Sequence, residues 1–330
     1  MREVLEREDK WDVGEQFELP DLGDIVVGGH VEHDTVDLTS VYYDTPGRDL
    51  QAHGILLRRR DGDDDAGWQL KTPATGGRTE LHWALTESPP DSLTKLLTGI
   101  SLGKDLTNVA TIHTVRDWYR IRDAEADELC AEVADDSVRA WSDQRSLAWR
   151  EIEVEHGRAT DLFFKRLTDR LRSAGARPSR YESKLSHVLP AAPVAQPASR
   201  AGRALAGYLG AQIDAIVAGD LGLRRGLDPI HDTRVAIRRL RSTLRVFRKV
   251  LDRSVIGDFD GDCAGSRPCS VMSATARCST ADSLRRSMSS RRNSSWARCG
   301  RTSATNCKAS NFRPVLGCAM PWTRLGIWPS

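Results

Sequence analysis

Cysteine is nearly absent from the first 255 residues of this 330-residue chain. Cys130 stands alone there, whereas Cys263, Cys269, Cys278, Cys299, Cys307 and Cys318 crowd into the last 75 positions. A single thiol excludes a disulfide framework and fits a reducing cytosol. Long apolar runs are missing as well: none approaches about 18 residues, which argues against a membrane-spanning helix. The start Met1-Arg2-Glu3 is charged rather than apolar, so no signal peptide is expected and the location reads as cytoplasmic. Histidine is sparse, and His30, His33, His53 and His82 are too scattered to suggest a metal cluster; they read as structural or solvated. Glutamate is lacking altogether after Val255, where Lys308 is the only lysine.

That last absence divides the chain. Residues 1–255 hold 37 basic against 42 acidic side chains, a net −5, while residues 256–330 hold 11 against 4, a net +7. The tail keeps no period of 2 or 3.6. Its spacings Cys263-x5-Cys269-x8-Cys278 and Cys299-x7-Cys307-x10-Cys318 match no common zinc pairing. A translated shifted reading frame, and hence an unfolded segment over 255–330, is the reading adopted for it. Upstream, the uncharged Pro190-Ala191-Ala192-Pro193-Val194-Ala195-Gln196-Pro197 marks a linker over 189–199. The expected organisation is a strand-rich domain over 1–188, that linker, a helical segment over 200–254 and the tail.

Residues 1–186 contain many short strand-like runs separated by turns such as Ala74-Thr75-Gly76-Gly77. A helix is expected from Asp161 to Ala174, with Asp161 as its cap and Phe163, Phe164, Leu167 and Leu171 as its apolar face. A shorter one is expected after Pro89-Pro90-Asp91. The strand-like runs share one peculiarity. In a strand, alternate residues leave the same face, so Glu6, Glu8 and Lys10 form one charged face. Arg58 and Arg60 form another, as do Gln69 with Lys71, and Arg116 with Arg120 and Arg122. Glu151, Glu153 and Glu155 line a fifth, with Ile152 and Val154 opposite. A sheet with one wet face would look like this, and so would a barrel with a polar lumen. Acids on two strands and bases on three favour the barrel, as a site for a polyanion with a divalent metal.

E-x-E-x-K at Glu6, Glu8 and Lys10, Y-Y-D-T-P at Tyr42–Pro46, L-R-R-R at Leu57–Arg60, W-Q-L-K at Trp68–Lys71 and E-I-E-V-E at Glu151–Glu155 together resemble the CYTH domain, the triphosphate tunnel metalloenzyme fold. The resemblance covers about residues 1–186. It implies an α+β domain built on an eight-stranded antiparallel tunnel β-barrel with flanking helices, acting on triphosphates with Mg2+ or Mn2+. It assigns Glu6, Glu8, Glu153 and Glu155 to the metal, with Glu132 as a further carboxylate. Arg58, Arg60, Lys71 and Arg116 would hold the phosphates, joined by Arg120 through its shared face, and Lys184 resembles the family's late lysine. Lys10, with Glu6 and Glu8, would stand at the phosphate attacked. Inorganic triphosphate or an organic triphosphate is the expected substrate. An adenylate cyclase on the same barrel, or a non-catalytic binder of polyphosphate or nucleic acid, are the rival readings.

Helical periodicity resumes from about Arg200 to Leu251. His231, Arg234, Arg238, Arg241, Arg245 and Arg248 recur every three or four residues beside an apolar stripe of Ile237, Leu240, Leu244, Phe247 and Leu251. The result is a cationic ridge about 25 Å long. H-x-x-R-V-x-x-R-R-L-R-S-x-L-R-x-F resembles the opening helix of a CHAD domain, which implies inorganic polyphosphate as a partner, with nucleic acid less favoured. Only about 200–254 carry the resemblance, so a partial CHAD-like segment is expected, without the second basic helix. The sequence is silent on oligomeric state.

Overall fold

The computed structural model describes residues 2–190, 197 and 199–251; the expected unfolded tail and most of the expected linker lie outside the described residues. The chain divides into two units, Met1–Thr94 with Gly103–Pro193, and Lys95–Leu102 with Val194–Ser330.

The first unit is a mixed α+β structure around one antiparallel sheet. Its strands are β1 (Arg2–Glu6), β2 (Glu8–Val13), β3 (His30–Asp44), β4 (Leu56–Asp61), β5 (Gly67–Ala74), β6 (Gly77–Trp83), β7 (Thr107–Arg122), β8 (Leu129–Ser142), β9 (Arg145–His156) and β10 (Arg177–Pro178). They are hydrogen-bonded in the order β1-β6-β5-β4-β3-β7-β8-β9-β2-β10. β1 and β2 are one segment broken at Arg7. β1 pairs with β6 and β2 with β9, so both flanks of the sheet reach the same stretch of chain, and His156 N–H donates to the Arg7 carbonyl at 2.8 Å. β3, β7, β8 and β9 run 12 to 16 residues, longer than the short runs expected from sequence. Polar residues alternate so regularly along them that no turn signal ends the ladder.

One face of the sheet is apolar. Trp11, Ile121, Val133, Ile152 and Val154 pack on Phe163, Leu167 and Leu171 of α3 (Asp161–Ser173). These three helix residues recur every fourth position and so form one stripe. Each fully buried large apolar side chain contributes about 1.5–3 kcal/mol. The cap of α3 is Thr160, whose side chain accepts from Phe163 N–H at 3.2 Å; Asp161, expected as the cap, lies in the first turn, where its charge favours the helix dipole.

The opposite face is divided. Toward one end Tyr42, Leu56, Ala110, Ile112, Val138 and Ala140 form an apolar cluster with Leu185 and Val188 of α4 (Lys184–Val188). Ser183 and Ser186 start α4 with a reciprocal capping box. The Tyr-Tyr-Asp-Thr-Pro stretch near this end is structural: Asp44 accepts backbone N–H groups of Thr45, Leu50 and Gln51 at 2.7–3.0 Å, fixing the start of α1 (Asp49–Ala52). Toward the other end the face is charged. The helix expected after Pro90 is α2 (Asp91–Ser101).

In the second unit α5 (Arg200–Arg224) and α6 (Ile230–Val246) pack through Leu209, Ile216, Ala236, Leu240 and Leu244. They approach so closely that a Cβ on Gly219 would stand 2.0 Å from Thr233 Oγ1. α6 ends at Val246, short of the expected ridge and stripe. Arg248 lies in the turn beyond it, and Phe247 is exposed rather than packed. Among the described residues no helix is long and apolar enough to cross a membrane.

Candidate active site

Alternation puts the charged residues of β1, β2, β4, β5, β6, β7, β8 and β9 around one cavity of about 660 Å³. Every site residue expected from sequence in this unit is there: Glu6, Glu8, Lys10, Arg58, Arg60, Lys71, Arg116, Arg120, Glu132, Glu153, Glu155 and Lys184. Tyr42 and Leu56 belong both to the cavity wall and to the apolar cluster, which therefore floors the cavity.

The deepest charges form a closed network. Arg116 makes a bidentate pair with the fully buried Asp136, Nε and Nη2 each at 2.7 Å, and reaches Glu153 at 2.6 Å. Lys184 Nζ lies 2.7 Å from each of Asp136, Glu151 and Glu153. Lys10 pairs with Glu153 and stands 3.4 Å from Glu8. Burial works against ionising Glu153, but Lys10, Lys184 and Arg116 outweigh it and hold the carboxyl well below the usual range. The same balance, with burial opposed by Arg116 and Lys184, keeps Asp136 low.

A second group lies on the β1-β6-β5-β4 flank of the sheet. Lys71 Nζ lies 2.5 Å from Glu6 and 2.8 Å from Glu80, and His82 Nε2 lies 3.2 Å from Glu80. The two acids divide the lysine unequally. Burial, then the neighbouring Glu80, pushes Glu6 up from 4.5 to about 8, whereas Lys71 and Arg58 overcome burial and hold Glu80 low. Arg58 is buried against Gln69 Oε1 at 2.5 Å, and Tyr42 and Glu80 overcome burial to raise it above its usual range.

Arg60 is the exception. Its Nε is buried without a hydrogen-bond partner, and Asp63, 3.4 Å from Nη1, is the carboxylate it reaches. Burial, then the positive charges of Arg58 and Arg116, lower it to about 10. At the outer end Arg120 pairs with Glu132 at 2.8 Å. Glu155, opposite Glu8 in the β2–β9 ladder, is raised by burial and then by Glu132.

Sequence reasoning missed Glu80, His82 and Asp136. Arg78, Glu80 and His82 alternate along β6 and line the cavity, so His82 is not a solvated residue. The signal was present, since R-x-E-x-H after Gly76-Gly77 has the same period of two as the opening triad. Asp136 lies in an Asp-Asp pair: Asp135 faces outward to Arg150 at 2.8 Å, and only the ladder tells the two apart.

Among the described residues, the group of three carboxylates within 4.8 Å of one another is Asp136, Glu151 and Glu153, of which Glu153 alone belongs to the set expected to hold metal. Lys184 already bridges all three, and Arg116 pairs with two of them, so a cation occupies the place an ion would take. The carboxyls whose positive neighbours do not outweigh burial are Glu6, which shares Lys71 with Glu80, and Glu155; both are raised, with Glu8 and Glu132 beside Glu155. Oxygen donors of this kind suit a hard divalent cation, and raised carboxyls are the ones such an ion would bring back to the ionised form. The residues present fit one.

In the second unit His231, Arg234, Arg238 and Arg245 are exposed on α6 and Arg241 is half-buried, a ridge one residue shorter than expected.

Residues 14–170 match the CYTH domain and residues 207–262 the CHAD domain. The chain is 35% identical over 272 residues to the uncharacterized protein Rv2226 of Mycobacterium tuberculosis strain H37Rv and, to the same degree, to MT2285 of strain CDC 1551. Each alignment takes in 73% of this chain and 52% of the relative, so the chain spans about half the length of the curated relatives it matches. Among solved structures it is similar to a candidate adenylate cyclase (bh2851) from Bacillus halodurans, with 16% identity, 57% of this chain and 98% of that one covered, and a TM-score of 0.40. It is also similar to HpAC1 from Hippeastrum, a candidate adenylyl cyclase with a dominant triphosphatase activity, at 18% identity, 55% and 94% coverage and a TM-score of 0.36.

Proposed function

The chain carries a CYTH domain at 14–170 followed by a CHAD domain at 207–262, and on that footing we propose that its first unit is a tunnel barrel that hydrolyses triphosphates with Mg2+ or Mn2+. The observation that carries the reading is Arg60. A guanidinium lowered by burial and then by two neighbouring arginines, with an orphaned Nε, is a destabilising arrangement in the free protein. A polyanion in the cavity would relieve it, because charge-assisted hydrogen bonds to phosphate oxygens satisfy the guanidinium and offset its repulsion from Arg58 and Arg116.

Each group then has work to do. Arg58, Arg60, Lys71 and Arg116 would donate to phosphoryl oxygens, with Arg120 at the outer end. Asp136 orients Arg116 through its bidentate pair, and Lys184 keeps the buried acids neutralised. Lys10, between Glu8 and Glu153, would face the phosphate that is attacked. Glu6, raised by burial and by Glu80 in the free protein, is a carboxyl that a bound cation would return to the ionised form. Glu6, Glu8, Glu132 and Glu155 would hold the divalent ion, with Glu153 a partner of the cations around it. When bound, Mg2+ or Mn2+ would offset phosphate charge and polarise the bond that breaks. Charge stabilisation of this sort is the main term in phosphoryl transfer.

Phosphate release from tripolyphosphate and from nucleoside triphosphates, with each metal, tests the reading. Cyclic AMP formed from ATP without phosphate release would assign the same cavity to a cyclase instead. For the second unit we propose inorganic polyphosphate as the ligand of the α6 ridge, whose exposed arginines are of one sign along successive turns.

A further inference from the structure

A second cavity, of about 590 Å³, opens at the seam where β1 passes into β2. Glu6, Glu8, Lys10 and Arg78 line it as well as the charged cavity, so their side chains form the partition between the two. The seam exists because strand partners change there. β2 takes β10 along Trp11 and Asp12, and Ser179 N–H donates to the Lys10 carbonyl at 2.8 Å, whereas from Glu6 back the chain pairs with β6. The acids lining the second cavity are already paired: Glu6 with Lys71, Glu8 with Lys10, Asp9 with His156 at 2.9 Å, and Glu182 with Arg78 at 3.3 Å. Its outer cations are not. Arg172, at the end of α3, lies over the Trp11 ring, and Arg180 lies over Tyr181 and donates to its hydroxyl at 2.8 Å; neither has a carboxylate partner among the described residues. Trp11 lines the cavity too, and its buried Nε1 has no hydrogen-bond partner. Arginines from α3 and from the segment after β10 thus border one cavity with unused donors, beside an unused indole N–H.

We infer that the seam is an orthophosphate site, through which the phosphate cut from a triphosphate leaves the charged cavity. The inference rests on the triphosphate reading of that cavity. In the hydrolysis, water adds to the phosphorus beside Lys10, the bond to the bridging oxygen breaks, the oxygen leaves with the diphosphate, and the water's proton passes to solvent. The diphosphate remains among Arg58, Arg60 and Arg116, while orthophosphate is formed at the partition that Lys10 shares with the seam. The unpaired cations beyond that partition are Arg172 and Arg180. Guanidinium groups pair their N–H donors with phosphate oxygens, so two of them suit a small tetrahedral dianion.

The test follows pyrophosphate release from tripolyphosphate by the full chain with Mg2+ while orthophosphate is added. It compares the wild type with Arg172→Ala plus Arg180→Ala and with Arg172→Lys plus Arg180→Lys, all at exposed positions. In the wild type orthophosphate should lower kcat as well as raise the apparent KM, because it occupies the seam while tripolyphosphate occupies the cavity. The alanine pair should weaken the effect on kcat by at least about tenfold in inhibition constant, the worth of one charge-assisted hydrogen bond. Inhibition by pyrophosphate should stay the same, and the lysine pair should restore part of the loss. Purely competitive inhibition or none in the wild type, or an inhibition constant that the alanine pair leaves unchanged, would overturn the inference and leave the triphosphatase reading standing. If tripolyphosphate is not turned over, calorimetric titration with inorganic phosphate decides. Binding that the alanine pair weakens by about tenfold would support the site and overturn the hydrolase reading; unchanged binding, or none, would overturn both.

Discussion

Glu6→Gln isolates the electrostatic strain built into the cavity. Burial and Glu80 raise the Glu6 carboxyl from 4.5 to about 8, so the folded chain holds this proton more tightly than the unfolded chain does. The stability it contributes is fully present below about pH 4.5 and is lost as pH rises toward 8, by roughly 1.4 kcal/mol for each pH unit between. Relative to a neutral side chain of the same shape, Glu6 thus leaves the protein on the order of 3 kcal/mol less stable at pH 7, where it is ionised in the unfolded chain and still protonated in the folded one, and on the order of 5 less stable above pH 8. Glutamine is such a side chain and still accepts from Lys71. Urea unfolding from pH 5 to 9, with a chelator present, measures the effect. All six tryptophans among the described residues lie in the first unit, so their fluorescence follows that unit. The variant should match the wild type near pH 4.5, gain on it steadily to pH 8 and then run parallel. A difference that does not change with pH, or one complete by pH 6, would refute a Glu6 whose burial and Glu80 neighbour outweigh Lys71.

Other outcomes follow from the same contacts. Arg60→Met removes a cation with an orphaned donor, so unfolding free energy should stay level or rise while the KM for tripolyphosphate increases about tenfold, the worth of a charge-assisted hydrogen bond; loss of stability with an unchanged KM would make Arg60 structural. Lys184→Met leaves Asp136, Glu151 and Glu153 short of positive charge and should lower stability by about 3–5 kcal/mol in denaturant titrations; a cost under about 1 kcal/mol would mean that Arg116 alone neutralises the cluster. Arg234→Glu with Arg238→Glu should abolish retention on immobilised polyphosphate, and wild-type retention should fall with salt; binding that survives both changes would rule out α6 as the polyphosphate ridge.

Which residues share a face was legible from strand parity, because a period of two is a property of the local backbone. Glu6, Glu8 and Lys10 kept that parity even across the break at Arg7, and all of them line the cavity. What parity does not carry is the identity of the neighbouring strand. Glu153 was legible as a carboxylate on the inner face but not as the partner of Lys10, Arg116 and Lys184, which arrive from β2, β7 and α4. Asp44 was legible as part of a motif, while its role as a cap for α1 depends on backbone N–H groups at positions 45, 50 and 51 that only the folded turn brings together. The arginine stripe of α6 followed from the helical period, but its end did not: nothing between Val246 and Arg248 resembles a stop signal, yet the helix closes at Val246 and Leu251 joins the same apolar cluster from beyond it.

The central claim is that the charged cavity turns over triphosphates with a divalent ion held by its undercompensated carboxylates. Orthophosphate release from tripolyphosphate, measured with Mg2+ or Mn2+ and again with chelator, in the wild type and in Glu8→Ala, tests it most directly. Release should require the metal and fall by at least about a hundredfold in Glu8→Ala. Release that persists in the chelator or in the variant would contradict the claim.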